Sequence, residues 1–399
     1  MKLFQIIIAI LIGLSSTVLY QHRESISDFV NLAIDLTKES VSSHYSHLFG
    51  KARLNETAAA QKAFSEAASS SANPESHFPN LGYPKEQLIV TEMSTQRAVA
   101  KIVRAIEQSE GAGARVRRSI GTRNQRYFSP FLMLDHFATT AGFPDQLTNS
   151  FPSSPHRGQE TITYLLKGAV DHEDFAGNSG TLYEGDLQFM TAGRGIVHAE
   201  MPRKQPDGSQ NVGLQLWVDL PKKLKYCEPR YRDLRAAEIP SVDVDEGRAT
   251  IKVISGQSHG VDSVKELAYT PVWLLDFLLR PGAKVTQALP QGWNAFAYVL
   301  EGNVNVGQGA EAKKAEQYDN VFFKQAGDVI HLATDADATK DARIIVVAGT
   351  PLDQPVVQYG PFVLNSEEEI MKTFSDYQGH ENGFERAKNW RSQIGDRVY

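Results

Sequence analysis

Three side chains near the middle of the chain have the ligand chemistry of a divalent metal site. His156 lies in SSPHRGQETITYLLKG, just ahead of a run that alternates like a strand. His198 and Glu200 end the stretch GDLQFMTAGRGIVHAE. Residues two apart on a strand face the same side, so His198 and Glu200 present an imidazole and a carboxylate together. His156, from an earlier strand, supplies a third arm. Two imidazoles and one carboxylate with open positions suit non-haem Fe(II). Taken singly, a histidine beside Arg and Gly is more often a turn residue, and a His-x-Glu pair is weak. The combination is stronger, because Gly193 and Gly195 permit the tight backbone that a ligand-bearing hairpin needs. Glu160 is expected to hold a ligand imidazole from behind. His172, Glu173 and Asp174 form a rival acidic group, which reads as a solvated loop.

Strands must position these groups. From Phe128 onward, short apolar alternations are separated by Gly, Pro and Asp turns. Ile162, Tyr164 and Leu166 point one way in TITYLLK, as do Val212, Leu214, Leu216 and Val218 in NVGLQLWVD. Such spacing favours an all-β sandwich or barrel. The pattern also recurs. ITYLLKG ends at Gly168 and is followed by Gly185-Asp186; FAYVLEG ends at Gly302 and is followed by Gly327-Asp328. Two related β-sandwiches in one chain follow from this. Helical patterns flank them. An early one places Ala98, Ile102, Ala105 and Ile106 on one face. A late one starts at Ser366, with Glu369 completing a capping box.

Bulk properties narrow the function. The 399 residues are 41% hydrophobic and 22% charged, with a net charge of −6. A general phosphate-binding surface does not fit that charge, and no direct nucleic-acid binding is expected. The basic run Arg115, Arg117, Arg118, Arg123 and Arg126 reads as a solvated edge with ion pairs. Cys227 is the single cysteine, so no intrachain disulfide forms, and it reads as a packed side chain rather than a nucleophile. The apolar run from Leu3 to Tyr20 reads equally as a signal peptide or a signal anchor. Residues 23–92 read as a low-order linker, and translation from Met93 would remove the apolar run altogether.

Longer motifs carry a resemblance. RAVAKIVRAIEQSEGAGARVRRSIG, FSPFLMLDHF, PHRGQETITYLLKGAVDHEDFAGNSG, GDLQFMTAGRGIVHAEMP and the closing GFERAKNW resemble the pirins, a family of bicupins. The likeness runs from about Arg97 to the end. It implies two cupin-type (jelly-roll) β-sandwiches, at residues 93–235 and 236–399, after a hydrophobic segment at 1–22 and the linker. It implies a single Fe(II) in the first sandwich on His156, His198 and Glu200, and none in the second. The family pattern His-Pro-His-Arg-Gly places a further histidine where Ser154 stands. Residues 146–154, which contain no histidine, interrupt that pattern; the clean flanks point to a misjudged exon boundary, whereas a genuine insert leaves three ligands. In the second half, the position matching His156 is Pro290, and His331 has no Glu two residues on. The resemblance further implies quercetin 2,3-dioxygenase activity on a flavonol-like molecule, or an iron-dependent transcription co-regulator that docks a transcription factor. A metal-less structural bicupin is the third reading. The family points to nucleus and cytoplasm; residues 3–20 point to a membrane or secretory route.

Overall fold

The computed structural model describes residues 83–84, 86–110, 114–139, 154–264 and 268–394. The apolar run at 3–20, the linker before residue 83 and the insert at 146–153 lie outside the described residues. Among the described residues, no helix is long and apolar enough to cross a membrane.

Alternating apolar residues form strands in succession: β1 Val99–Arg104, β2 Ile106–Glu110, β3 Ala114–Ile120, β4 Phe131–Thr139, β5 Ser154–His156, β6 Gln159–Lys167, β7 Ala169–Asp174, β8 Ser179–Tyr183, β9 Leu187–Thr191, β10 Ile196–Pro202, β11 Asn211–Asp219 and β12 Arg230–Leu234. The first sandwich has a larger sheet in the order β12-β9-β6-β11-β4-β3-β2 and a smaller one in the order β5-β10-β7-β8. The second sandwich repeats the plan. Its larger sheet runs β1, Asp319–Phe323, Asn294–Glu301, Ala342–Gly349, Val272–Leu279, Ala249–Ser255 and Ser241–Val244; its smaller sheet runs Lys284–Ala288, Val329–Ala333, Asn303–Val306 and Lys313–Glu316. The repeated glycines serve the same purpose in both halves. Gly168 (φ +88°) and Gly302 (φ +70°) turn the chain in a left-handed conformation that a side chain would strain.

Two expectations are corrected at the start of the fold. The early helix is absent: Ala98, Ile102, Ala105 and Ile106 lie on or beside β1 and β2. VAKIV is rich in β-branched residues, and pairing with Asp319–Phe323 fixes it as a strand. That pairing also moves β1 out of the first sandwich and onto the edge of the second, so the boundary at 235/236 does not describe it. The late helix forms as expected: α1 spans Glu367–Gly379, and the Ser366 hydroxyl accepts from the Glu369 N–H.

The two larger sheets pack against each other. Phe131, Ile162, Tyr164, Phe189, Leu214 and Leu216 of the first meet Val272, Phe296, Tyr298, Phe322 and Val347 of the second in one buried cluster. Phe131 and Phe296 meet edge to face, with centroids 5.1 Å apart; such a pair adds about 1 kcal/mol beyond burial. The larger sheet of the first sandwich is thus covered on both faces. Even-numbered residues of β6 face the second sandwich, and odd-numbered ones face their own interior.

Candidate metal centre

Register brings the polar groups of the first sandwich onto one inner face. In an antiparallel pair, directly opposed residues share a side. Ser154 of β5 is opposite His198 of β10, and His198 is opposite Asp174 of β7. Glu200 is opposite His172. His156, two residues beyond Ser154, shares its face. His156, His172, Asp174 and His198 are all at most 5% exposed.

The two imidazoles are neighbours. Their ring centroids are 4.9 Å apart at an interplanar angle of 74°. The Trp217 ring packs 5.3 Å from His156. Burial holds the His156 pKa well below the usual imidazole value, and the adjacent His198 lowers it further. Burial also lowers His198, against the upward pull of Glu200 and Asp174. Both rings are therefore neutral near pH 7, the form that ligates metals. His156 Nε2 lies 3.0 Å from the Ser154 hydroxyl, and its Nδ1 lies 2.8 Å from the Gln159 amide nitrogen. Half a turn of that amide would let Gln159 Oε1, which has no partner, accept from Nδ1–H and leave the Nε2 lone pair for a metal. His198 Nδ1 is likewise buried without a partner.

Glu200 is held from the opposite sheet. Thr163 donates to its Oε1 at 3.2 Å and Gln215 to its Oε2 at 2.9 Å, while Trp217 donates to the Gln215 oxygen at 3.0 Å. Two neutral imidazoles, a carboxylate and a hydroxyl are suitable donors for a divalent ion. Their convergence is incomplete: among the described residues, no group of three or more His, Cys, Asp or Glu side chains is gathered around one metal position.

Glu160 does not support either imidazole. It shares strand parity with Ile162 and Tyr164 and so faces the second sandwich. There it accepts from the Thr191 hydroxyl at 2.7 Å and from the backbone N–H groups of Tyr269 and Thr270 at 3.0–3.1 Å. Gln159, of opposite parity, takes the place expected for Glu160. The His172–Asp174 loop is also corrected: it is strand β7. His172 stacks on Tyr231, with centroids 6.3 Å apart and planes at 16°. The His-x-Asp spacing, with both residues on one strand face, was the signal available in the sequence. Thr163 and Gln215 carried no such signal.

A cavity of about 580 Å³ lies beside this interior, sharing Ser154, Gln215 and Trp217 with it. Arg118, Arg126 and Asp135 also line it. The basic run is largely ion-paired: Arg115 and Arg117 engage Glu107, and Arg118 engages Asp135. Cys227 is half-buried, and burial pushes its thiol up to about 11, which keeps it protonated. The second sandwich has a different interior. Trp273, Phe277, Val285, Trp293, Val299 and Ile330 fill it as a packed apolar core.

Comparison with known proteins agrees with this architecture. The family model described as Pirin matches residues 113–218, and that described as Pirin C-terminal cupin domain matches residues 274–383. Human Pirin is 44% identical over 305 residues, 76% of this chain and 100% of that protein. Pirin-like protein 2 of Arabidopsis thaliana is 44% identical over 301 residues, 74% of this chain and 89% of that protein. Among solved structures, quercetin 2,3-dioxygenase from Acinetobacter baumannii aligns with a TM-score of 0.64 at 29% identity, over 72% of this chain and 98% of that one. GK1651 from Geobacillus kaustophilus aligns with a TM-score of 0.57 at 34% identity, over 66% and 100%.

Proposed function

Since the chain belongs to the pirin family, we propose that it is a bicupin whose first sandwich holds one Fe(II) and acts on flavonol-like molecules as a quercetin 2,3-dioxygenase does. One observation carries this reading. The interior of the first sandwich is lined with the buried imidazoles of His156, His172 and His198, buried Asp174 and partly buried Glu200, where the second is filled with Trp, Phe and Val. His156, His198 and Glu200 are the ligands in this reading. Bound iron would supply a redox centre for an enediol and dioxygen. The chain's own groups do the rest. Trp217 gives a flat wall for an aromatic ring and fixes Gln215, which fixes Glu200. The cavity past Ser154 admits the molecule, and burial keeps both imidazoles unprotonated.

The test joins metal analysis to oxygen uptake. Protein loaded with Fe(II) under anaerobic conditions should retain about one ion per chain. It should then consume oxygen with quercetin, and His156→Ala and His198→Ala should lose both properties. Iron retained without oxygen uptake removes the enzyme reading and leaves the iron-dependent transcription co-regulator. A second reading rests on Ser154. Its hydroxyl engages His156 Nε2 and stands opposite His198, as in a bicupin that does no metal chemistry. Failure to retain any metal selects that reading.

A further inference from the structure

We propose that the C-terminal segment, Phe362 to Ile394, is a positioning element of the metal centre, clamping from outside the three strands that carry the candidate ligands and their neighbours. The inference rests on the metal-binding reading given above.

β10 shows how the clamp is built. His198 and Glu200 point into the sandwich, so Val197, Ala199 and Met201 point out. All three are at most 5% exposed. Val197 is covered by Phe362, Leu364, Ile370 and Phe384. Ala199 and Met201 are covered by Ile394, with Trp390 packed alongside. The turn that feeds β10 is gripped as well. A Cβ on Gly195 would lie 3.0 Å from the Phe384 ring, and one on Gly383 would lie 2.6 Å from the Arg194 carbonyl oxygen. On β7, Glu173 points outward and accepts from the Ile394 N–H at 3.1 Å and from the Gln393 N–H.

Arg157 makes the equivalent connection for β5. It follows His156 directly and is fully buried. Its guanidinium donates to Asp376 Oδ2 at 2.7 Å and to the Thr373 hydroxyl at 3.1 Å, both on α1. It also donates to the Asn382 carbonyl oxygen at 2.6 Å and to the Arg194 carbonyl oxygen at 2.6 Å. The Phe384 ring lies 4.6 Å from the guanidinium carbon. One planar cation therefore joins the residue after His156, the turn before His198 and the C-terminal helix. A rigid fork of this kind fixes direction as well as distance. Ligand geometry tolerates little slack, and groups behind the ligands set metal affinity by tenfold or more. Arg157 and Asp376 touch no substrate or metal; they act through the backbone that bears the histidines.

The experiment is a Co(II) titration of the full chain, read by the visible absorption of the bound ion, at a temperature well below melting. Wild-type protein should bind, and His156→Ala should not; absence of wild-type binding overturns the metal reading and this inference together. With that reading intact, Asp376→Asn and Thr373→Val should bind Co(II) at least tenfold more weakly and alter its absorption band. Thr373→Ser, which keeps the hydroxyl, should restore both. Val299→Ala, in the core of the second sandwich, serves as the control for stability loss alone and should leave affinity and spectrum unchanged. Wild-type affinity and spectrum in both Asp376→Asn and Thr373→Val would overturn the inference. Where Asp376→Asn does not fold, Thr373→Val and Phe384→Leu decide it by the same criteria.

Discussion

Acidification should weaken the contact between the two sandwiches through His136. This residue sits on β4, with Nδ1 3.2 Å from the Tyr298 hydroxyl and its ring 5.7 and 5.8 Å from the rings of Tyr298 and Tyr318. Burial, assisted by Arg117, lowers its pKa from 6.5 to about 4. The sign follows from linkage. Below pH 6.5 the unfolded chain takes up a proton that the folded chain refuses. The stability present at neutral pH is therefore lost as pH falls from 6.5 toward 4. A displacement from 6.5 to about 4 corresponds to about 3 kcal/mol in full, of which about 2 kcal/mol is lost between pH 7 and pH 5. That is a sizeable fraction of the roughly 5–15 kcal/mol that holds a domain folded. The assay is urea unfolding of metal-free protein at pH 7, 5 and 4, for wild type and His136→Gln. Glutamine keeps a polar partner for Tyr298 but does not titrate. His156 and His198 titrate in both proteins, so the difference between the two pH profiles isolates His136. Wild type should lose about 2 kcal/mol more than His136→Gln on going from pH 7 to pH 5. Parallel profiles would show that His136 protonates freely in the folded chain, and the burial argument would be wrong.

Other expectations are simpler to state. Glu160→Gln replaces an acceptor of several N–H and O–H donors with an amide that sets its own donors against some of them. It should cost about 2–3 kcal/mol in denaturant unfolding and leave Co(II) affinity unchanged; weaker metal binding would mean that Glu160 supports the site after all. Tyr164→Phe removes a hydroxyl that donates to Asp276 at 2.8 Å. Because Arg343 still pairs with Asp276, the loss should be only about 1–2 kcal/mol, read from the urea midpoint. Divalent metal at a hundredfold excess over its dissociation constant should stabilise the native chain by about 3 kcal/mol, and a chelator should reverse the gain. An unmoved midpoint in His156→Ala and a shifted one in wild type would assign the effect to this site.

Local chemistry in the chain determined a good deal. Period-2 alternation and glycine turns require strands, and the repeat of ITYLLKG by FAYVLEG requires two similar sandwiches. The capping box at Ser366 and Glu369 marks the one α-helix among the described residues. His198 and Glu200, two apart on a strand, had to share a face. Tertiary structure decided which face looks where. The larger sheet of the first sandwich is covered on both sides, so alternation alone cannot say which parity meets its own interior and which meets the second sandwich. That choice turned Glu160 away from the candidate metal centre, put Gln159 in its place, and brought His172 and Asp174 inside. It also gave β1 to the second sandwich, because an edge with unpaired N–H and C=O groups was available there. Contacts between residues far apart in sequence, such as Arg157 with Asp376, depend on how the sheets and the helix pack, and no local pattern encodes that packing.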